Sequence, residues 1–358
     1  MARLTRAEVQ ERNRARVLAA AREEFAERGF RDAKVDGIAE RAELTRGAVY
    51  SNFPGKRALY FAVLAQLAQD APATEPGEPA LTVREALGAL ARAWVARLPL
   101  STEADSPAAR IGAEVMPEIL TDERTRRPYA QLVRLQAILL GMGLERLNPA
   151  SAGDARQVRL AETALTTLHG ASRMAAAAPG FLEPFNVVSA CEQLADLDLG
   201  DRWSDPPIAP RAQPAADPWR PPDAVDELRG ARVPLAADGV VAVLGLHRLA
   251  RIEDALRAAP ADAEVTAVVV TGEPAELAPL ARMAVAEVRG LLRQCLPRSA
   301  WPRLQLVLDE QGAMAAAAGV TGVSDATEAA VRIQAGRITS RAEGLGSGYA
   351  AAATPAES

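Results

Sequence analysis

The chain has little cysteine, little histidine and almost no lysine. Cys191 and Cys295 are the two cysteines in 358 residues, His169 and His247 the two histidines, and Lys34 and Lys56 the two lysines. Two distant thiols exclude the disulfide framework of a small secreted protein. Histidines and cysteines this dispersed also exclude a metal centre of ordinary ligand spacing, so neither metal nor cofactor is expected. No uncharged run approaches the roughly 18 apolar residues of a membrane span. Residues 1–16 are charged throughout, unlike a signal peptide. A cytoplasmic protein is the expectation.

What is present begins with an asymmetry of charge. The net charge is −5. Residues 1–67 carry 13 Lys+Arg against 9 Asp+Glu, a balance of +4, and the remainder carries 28 against 37, a balance of −9. The basic excess coincides with KVDGIAERAELTRGAVYSNF at 34–53, which reads as two short helices joined by a tight turn. Val35, Ile38, Ala39 and Ala42 recur at i, i+3, i+4, i+7, one apolar face. Thr45 is placed to cap the second helix. Ala48, Val49 and Phe53 are expected inward. Thr45, Arg46, Gly47, Tyr50, Ser51 and Asn52 are left outside, a small and polar surface suited to a DNA groove. Upstream, Val17, Leu18, Ala21 and Phe25 mark an amphipathic helix, and Gly29 suits a positive-φ terminus. Downstream, Pro54-Gly55 breaks the chain before a helix carrying Leu59, Val63 and Leu67.

The order Phe25, Gly29-Phe30, Ile38-Ala39, Ala42, Tyr50, Phe53, Lys56 and Leu59 resembles the N-terminal domain of TetR-family transcriptional regulators over about residues 11–70. There are three departures. Glu43 occupies a turn position usually held by Gly, at a cost of about 1 kcal/mol if its φ is positive. Gly37 lies inside a helix where the family often has an acidic residue, costing about 1 kcal/mol relative to Ala. Arg57 stands where an acidic residue is common. None removes a DNA-facing group. Lys34, Thr45, Tyr50 and Lys56 are assigned to phosphates, and Arg46, Gly47, Ala48, Ser51 and Asn52 to base edges.

From about 56 to 200 the pattern is helical, with 3.6-residue spacing over 81–98, 108–120, 129–147, 154–178 and 184–197. Breakers at Pro72, Pro76, Gly77, Pro79, Pro99, Asn148-Pro149 and Pro179-Gly180 separate them. The TetR resemblance implies a helical body over 72–200 that binds a small effector and dimerises through its last two helices, with Ala161, Ala164, Gly170, Ala171 and Ala175 allowing close approach. His169 lies mid-helix in that body, either a satisfied interior histidine or, as the weaker reading, a ligand contact. Residues 201–222 contain seven prolines. They read as a semi-rigid linker spanning up to roughly 70 Å, pinned by Trp203 and Trp219.

After the linker the grammar becomes strand–helix alternation: strands at 240–244, 265–271 and 304–308, helices near 252–259, 275–295 and 313–318, and a hairpin of 329–334 with 337–340 turning at Ala335-Gly336. LQLVLDEQGAMAAAAGVTG…AAVRIQAGRIT resembles the C-terminal half of thioredoxin-like redoxin domains, placing a degenerate copy over 223–350. Where redoxins hold their reactive cysteine, this chain has Gly245-Leu246-His247-Arg248-Leu249, and Ala326 stands at the usual proline. Without a thiol the exchange reaction has no nucleophile. His247 is either an ordinary loop histidine, the preferred reading, or a group at a vestigial site. Cys191 reads as a packing residue. GLGSG at 344–348 lacks the context of a dinucleotide fingerprint and reads as a flexible loop before a disordered tail at 351–358.

The expected architecture is therefore multi-domain, an all-α TetR-like region at 11–71 and 72–200 followed by an α/β thioredoxin-like domain. The expected function is a bacterial, nucleoid-associated, effector-responsive repressor, not an enzyme, binding a palindromic operator in double-stranded DNA as a homodimer. Two alternatives remain: an oxidoreductase fused to a DNA-binding head, and a regulator whose last domain is an interaction or second sensor module.

Overall fold

The computed structural model describes residues 5–70, 82–98, 111–112, 115–147, 156–233, 235, 237–260 and 263–353. The breakers at Pro72, Pro76, Gly77, Pro79, Pro99 and Asn148-Pro149, the expected helix starts at 81, 108 and 154, and the last five residues lie outside these ranges.

The head comprises α1 (Arg6–Asp32), α2 (Val35–Arg41), α3 (Arg46–Asn52) and α4 (Lys56–Asp70). Gly29 interrupts α1 with φ 72°, which lets Phe30 fold back onto Phe25 and Tyr60. Phe25 meets Tyr60 edge-on at 5.4 Å, a favoured aromatic geometry. Ile38, Ala39, Ala42, Val49 and Phe53 are buried as the periodicity predicts, while Ala48 is half-buried.

The body contains α5 (Val83–Val95), α6 (Val115–Leu120), α7 (Glu123–Leu147), α8 (Val158–Ala177) and α9 (Pro184–Gln193). Helix α7 starts six residues before the predicted Tyr129, so Pro128 lies inside it. One lost helix bond is tolerated there because Pro128 is buried against neighbours.

The second half forms a six-stranded sheet in the order β1-β8-β7-β4-β5-β6. Its strands are β1 (Gln213–Pro218), β4 (Gly239–Gly245), β5 (Glu264–Val270), β6 (Leu304–Leu308), β7 (Glu328–Gln334) and β8 (Arg337–Glu343); β2 (Val225–Asp226) and β3 (Ala231–Arg232) pair apart from it. Strands β4, β5 and β6 are parallel and β7 runs antiparallel to β4. Their near-continuous valine runs reflect burial on both faces. One face packs on α10 (Ile252–Ala258), α11 (Pro274–Cys295) and α13 (Ser347–Ala353); the other carries α12 (Ala313–Ala317) and Trp219.

Two expectations fail here. The proline-rich segment is no free linker: Gln213–Pro218 adds an antiparallel edge strand to β8, and the Trp219 indole donates to the Leu235 carbonyl at 2.7 Å. Prolines are admissible because an edge strand needs its N–H groups on one side only. GLGSG does not lead directly into a disordered tail, since residues 347–353 form a helix with Ser347, Gly348, Ala351 and Ala352 buried.

The halves share one core. Helix α11 lies along α4 and also packs on α5 and α7. Eight consecutive residues of α4, Ala58 to Ala65, are buried, so this helix has no solvent face there. A buried ionic network closes the same junction. Arg156 donates to both oxygens of Glu253 at 2.6 Å and to Asp201 at 2.8 Å, and Arg257 joins Glu253 to Glu145 on α7. Burial pushes the Glu253 carboxyl up, but hydrogen bonds from Arg156 and Arg257 outweigh this and hold it below the ordinary value of 4.5.

Glu253→Gln removes the anion shared by two arginines that keep Asp201 and Glu145, and a cost of about 1–3 kcal/mol in urea unfolding at pH 7 is expected. Because the folded pKa is depressed, the stabilisation is present above the unfolded value and lost as pH falls through the folded one. The gap between wild type and variant should therefore shrink below about pH 4. A gap constant between pH 7 and 3 would show that the Glu253 charge is not its source.

Candidate nucleic-acid interface

Helix α3 is presented by two caps. Thr45 holds φ −78°, ψ 155° and accepts from the Ala48 amide at 3.2 Å, as expected of an N-cap. At the other end Arg14 donates to the Asn52 carbonyl at 3.1 Å and stacks over Phe53, a contact the sequence reading missed. Glu43 in the turn does adopt positive φ, 50°, and its carboxylate meets Arg16 at 2.8 Å. Gly37 also has a reason. A Cβ there would come within 2.9 Å of Glu24, a buried carboxylate of α1 that receives Arg41 at 2.9 Å. The acidic group expected on α2 is thus supplied by α1. Arg57 answers the third departure by pairing with Asp122 at 2.5 Å, tying α4 to the body.

The outer face of α3 is largely as predicted. Thr45, Arg46, Gly47, Tyr50 and Ser51 are exposed, as is Lys34 at the start of α2. Arg46 lies over the Tyr50 ring at 5.6 Å and 3.4 Å from Asp36, and its pKa is raised by the Tyr50 hydroxyl and then by Asp36. A Cβ on Gly47 would meet nothing closer than 3.8 Å, so the helix surface there is open. Three assigned residues are engaged within the protein, the first being Ser51, whose hydroxyl donates to the Ala48 carbonyl at 2.9 Å. Asn52 is half-buried and turns its amide back to the Ala48 carbonyl at 2.8 Å. Lys56 points its ammonium into the end of α1, donating to the carbonyls of Phe30 (2.7 Å), Ala33 (3.0 Å) and Arg31 (3.1 Å). A cation on terminal carbonyls is a C-cap, favoured by the helix dipole.

Residues 17–63 match the family model for bacterial regulatory proteins of the TetR family. The head is a TetR-type helix-turn-helix domain. Over 65 residues, 18% of this chain, it is 51% identical to the HTH-type transcriptional regulator SrpR of Pseudomonas putida, covering 30% of that protein. It is equally similar to the HTH-type transcriptional regulator TtgW, also of Pseudomonas putida, covering 48%. The chain therefore spans less than half the length of either relative. Among solved structures, a TetR-family transcriptional regulator from Pectobacterium atrosepticum aligns with 54% of this chain and 94% of its own, at 23% identity and TM-score 0.35.

Behind the TetR-type head, a chain of polar and aromatic groups runs between α5, α7, α8 and α11. The His169 ring meets Trp94 edge-on at 4.9 Å, and its Nε2 has no hydrogen-bond partner. Burial pushes His169 down, toward the neutral form. Arg97 lies over Trp94 at 5.3 Å. Burial raises Glu287 and Tyr129, with Arg97 opposing the shift at Glu287. The cysteines are free and buried, and burial lifts the thiols to about 11 at Cys191 and about 12 at Cys295. Thiols so protonated are poor nucleophiles. His247 is half-buried at the end of β4, and burial, then Arg127, push it down. Among the described residues no group of His, Cys, Asp and Glu could hold a metal ion, and no helix is long and apolar enough to cross a membrane.

Lys56→Ala should destabilise the protein by about 1–2 kcal/mol, since three carbonyls lose a charged donor. Lys34→Ala should stay within about 0.5 kcal/mol of wild type. Urea midpoints compare the two; equal effects would contradict the capping role.

Proposed function

We propose that this protein is an effector-responsive transcriptional regulator, a repressor that binds a palindromic operator as a homodimer and acts by binding rather than catalysis. The observation that carries the reading is the exposed, capped α3, whose outward face offers Arg46, Gly47, Tyr50 and Ser51 within the region matching the TetR family. In a dimer the two recognition helices would sit about 34–36 Å apart to meet successive major grooves. Support for the dimer comes from the end of the body. Phe181 and Phe185 are 69% and 78% exposed where α8 turns into α9, Met174 in the last turn of α8 is also exposed, and apolar surface of this kind marks an interface.

The effector would enter among Trp94, Arg97, Tyr129, His169 and Glu287. Binding there would act on α4 through α5 and α11, favouring a dimer of different head spacing and releasing DNA through differential affinity. The C-terminal sheet region, which has no cysteine at the Gly245-Leu246-His247 turn, serves this switch as a structural or sensory part. A thiol oxidoreductase is disfavoured by the two inert cysteines.

Selection from a random duplex library should enrich an inverted repeat. On that operator, Tyr50→Ala should weaken specific and non-specific DNA alike. Arg46→Ala should cost about 1–3 kcal/mol at its base pair and relax preference there. Gel shifts in which neither variant loses affinity would remove the DNA-reading assignment. Separately, Phe185→Glu should shift sedimentation from dimer toward monomer; an unchanged mass would place the dimer contact elsewhere.

A further inference from the structure

On the sheet face turned away from the helical body, a cleft of about 270 Å³ opens between residues 210–213 and the turn at 318–320. Strand register fixes what forms it. Val243, Ala329 and Glu343 are partners across β4, β7 and β8, and Val331, Arg341 and Gln213 form the next row. Partners in register point to the same side of a sheet. Val243 and Val331 on this face are covered, so the apolar surface the cleft offers is Ala329, whose side chain ends at Cβ, flanked by the half-buried Pro210 and Val320.

The rim is charged with both signs. Arg341 is fixed, donating to the Ala318 carbonyl at 2.7 Å and to Asp217 at 2.9 Å. Gly319, at φ 87°, leaves room for that guanidinium, because a Cβ there would collide with its Nη1. Arg211 and Glu343 line the same cleft and are exposed, and their side chains have no hydrogen-bond or ion-pair partner among the described residues. Two guanidiniums against Asp217 and Glu343 leave no net charge. The cleft thus favours neither simple anions nor simple cations, but a molecule carrying both charges close together.

We propose that this cleft is a second small-molecule site, for an amino-acid-like zwitterion with a compact apolar side chain. The carboxylate pairs with Arg211 beside the fixed Arg341, the ammonium pairs with Glu343, and the side chain lies over Ala329 between Pro210 and Val320. Its volume falls at or below the low end of ligand pockets, about 300 Å³, which suits a metabolite of this size. Only the consequence of occupancy for DNA rests on the regulator reading; binding itself does not.

The test is calorimetry on the full-length protein with L-valine, L-leucine and L-phenylalanine, each against analogues that lack one charge; for leucine these are 4-methylpentanoate and 3-methylbutylamine. At least one amino acid should bind, at least tenfold more tightly than either of its single-charge analogues. Arg211→Ala and Glu343→Gln should each weaken it about tenfold. Ala329→Leu should abolish binding by filling the floor, while circular dichroism and thermal unfolding report an intact fold. Absence of binding at millimolar concentration, equal binding of a single-charge analogue, or binding that survives Ala329→Leu would each overturn the site. Operator affinity is measured separately, so a protein that binds the amino acid but no DNA would fail the regulator reading and leave the site standing.

Discussion

Everything in this molecule depends on how α4 is buried. A surface helix keeps one polar face; from Ala58 to Ala65 this one keeps none. The head covers it with α1, and the C-terminal region covers it with α11. The DNA-reading helix and the sheet are thereby parts of one packed body, joined through a helix that touches both. Removing residues 223–358 would not free an intact head and body, because it would strip the apolar covering from α4 and leave Arg156 beside Asp201 without Glu253. A truncation that fails to bind DNA would accordingly say little about sensing.

Local features were legible in the sequence because local forces decide them. The β-branched runs at 240–244 and 265–271, the 304–308 strand and the Ala335-Gly336 hairpin turn lie where alternation of strand and helix placed them. The positive φ at Glu43 was legible too, because the TetR resemblance puts Glu43 at a turn position usually held by Gly. Contacts distant in sequence were not. Nothing local shows that Lys56 reaches three carbonyls of α1, or that Arg14 closes α3. One signal was there to be read. ALYFAVLA at 58–65 has no polar position where an amphipathic helix needs one, and it announced a second covering element. Reading Leu59, Val63 and Leu67 as a stripe hid it. The proline-rich segment misled for the opposite reason: its composition describes an unpaired chain, whereas an edge strand needs few N–H donors.

Near-exclusive use of arginine fits the electrostatics of the junction. A guanidinium presents a planar fork that loses little on desolvation and can hold two carboxylates at once. Arg156 does so with Glu253 and Asp201, and Arg257 with Glu253 and Glu145. Each pair alone would be weak evidence for stability, since burial costs offset the attraction. Linked, they fix one arrangement of α7, α8 and α10, because Glu253 can bond both arginines only while each also meets its second carboxylate, Asp201 or Glu145. The same junction brings the start of the former linker, at Asp201, into register with the body. The network's effect is thus on specificity of docking more than on its strength.

That docking determines how any signal would travel. Val243 lies buried beneath the outer cleft, while its neighbour Leu244 faces the core shared with α11. Occupancy of the outer face can reach the head only by moving strands against α11, and α11 against α4. Packed interiors respond to such movement by switching between arrangements rather than by yielding gradually. Over 58–65 α4 has no exposed turn to absorb a displacement, so α1 or α5 must answer it. A shift of α1 tilts Arg14 and the end of α3; a shift of α5 alters Trp94 and Arg97. Trp94 and Arg97 in the body and the cleft on the sheet would therefore act on the same element, and each tenfold change in an affinity coupled to it requires about 1.4 kcal/mol of difference between its two positions.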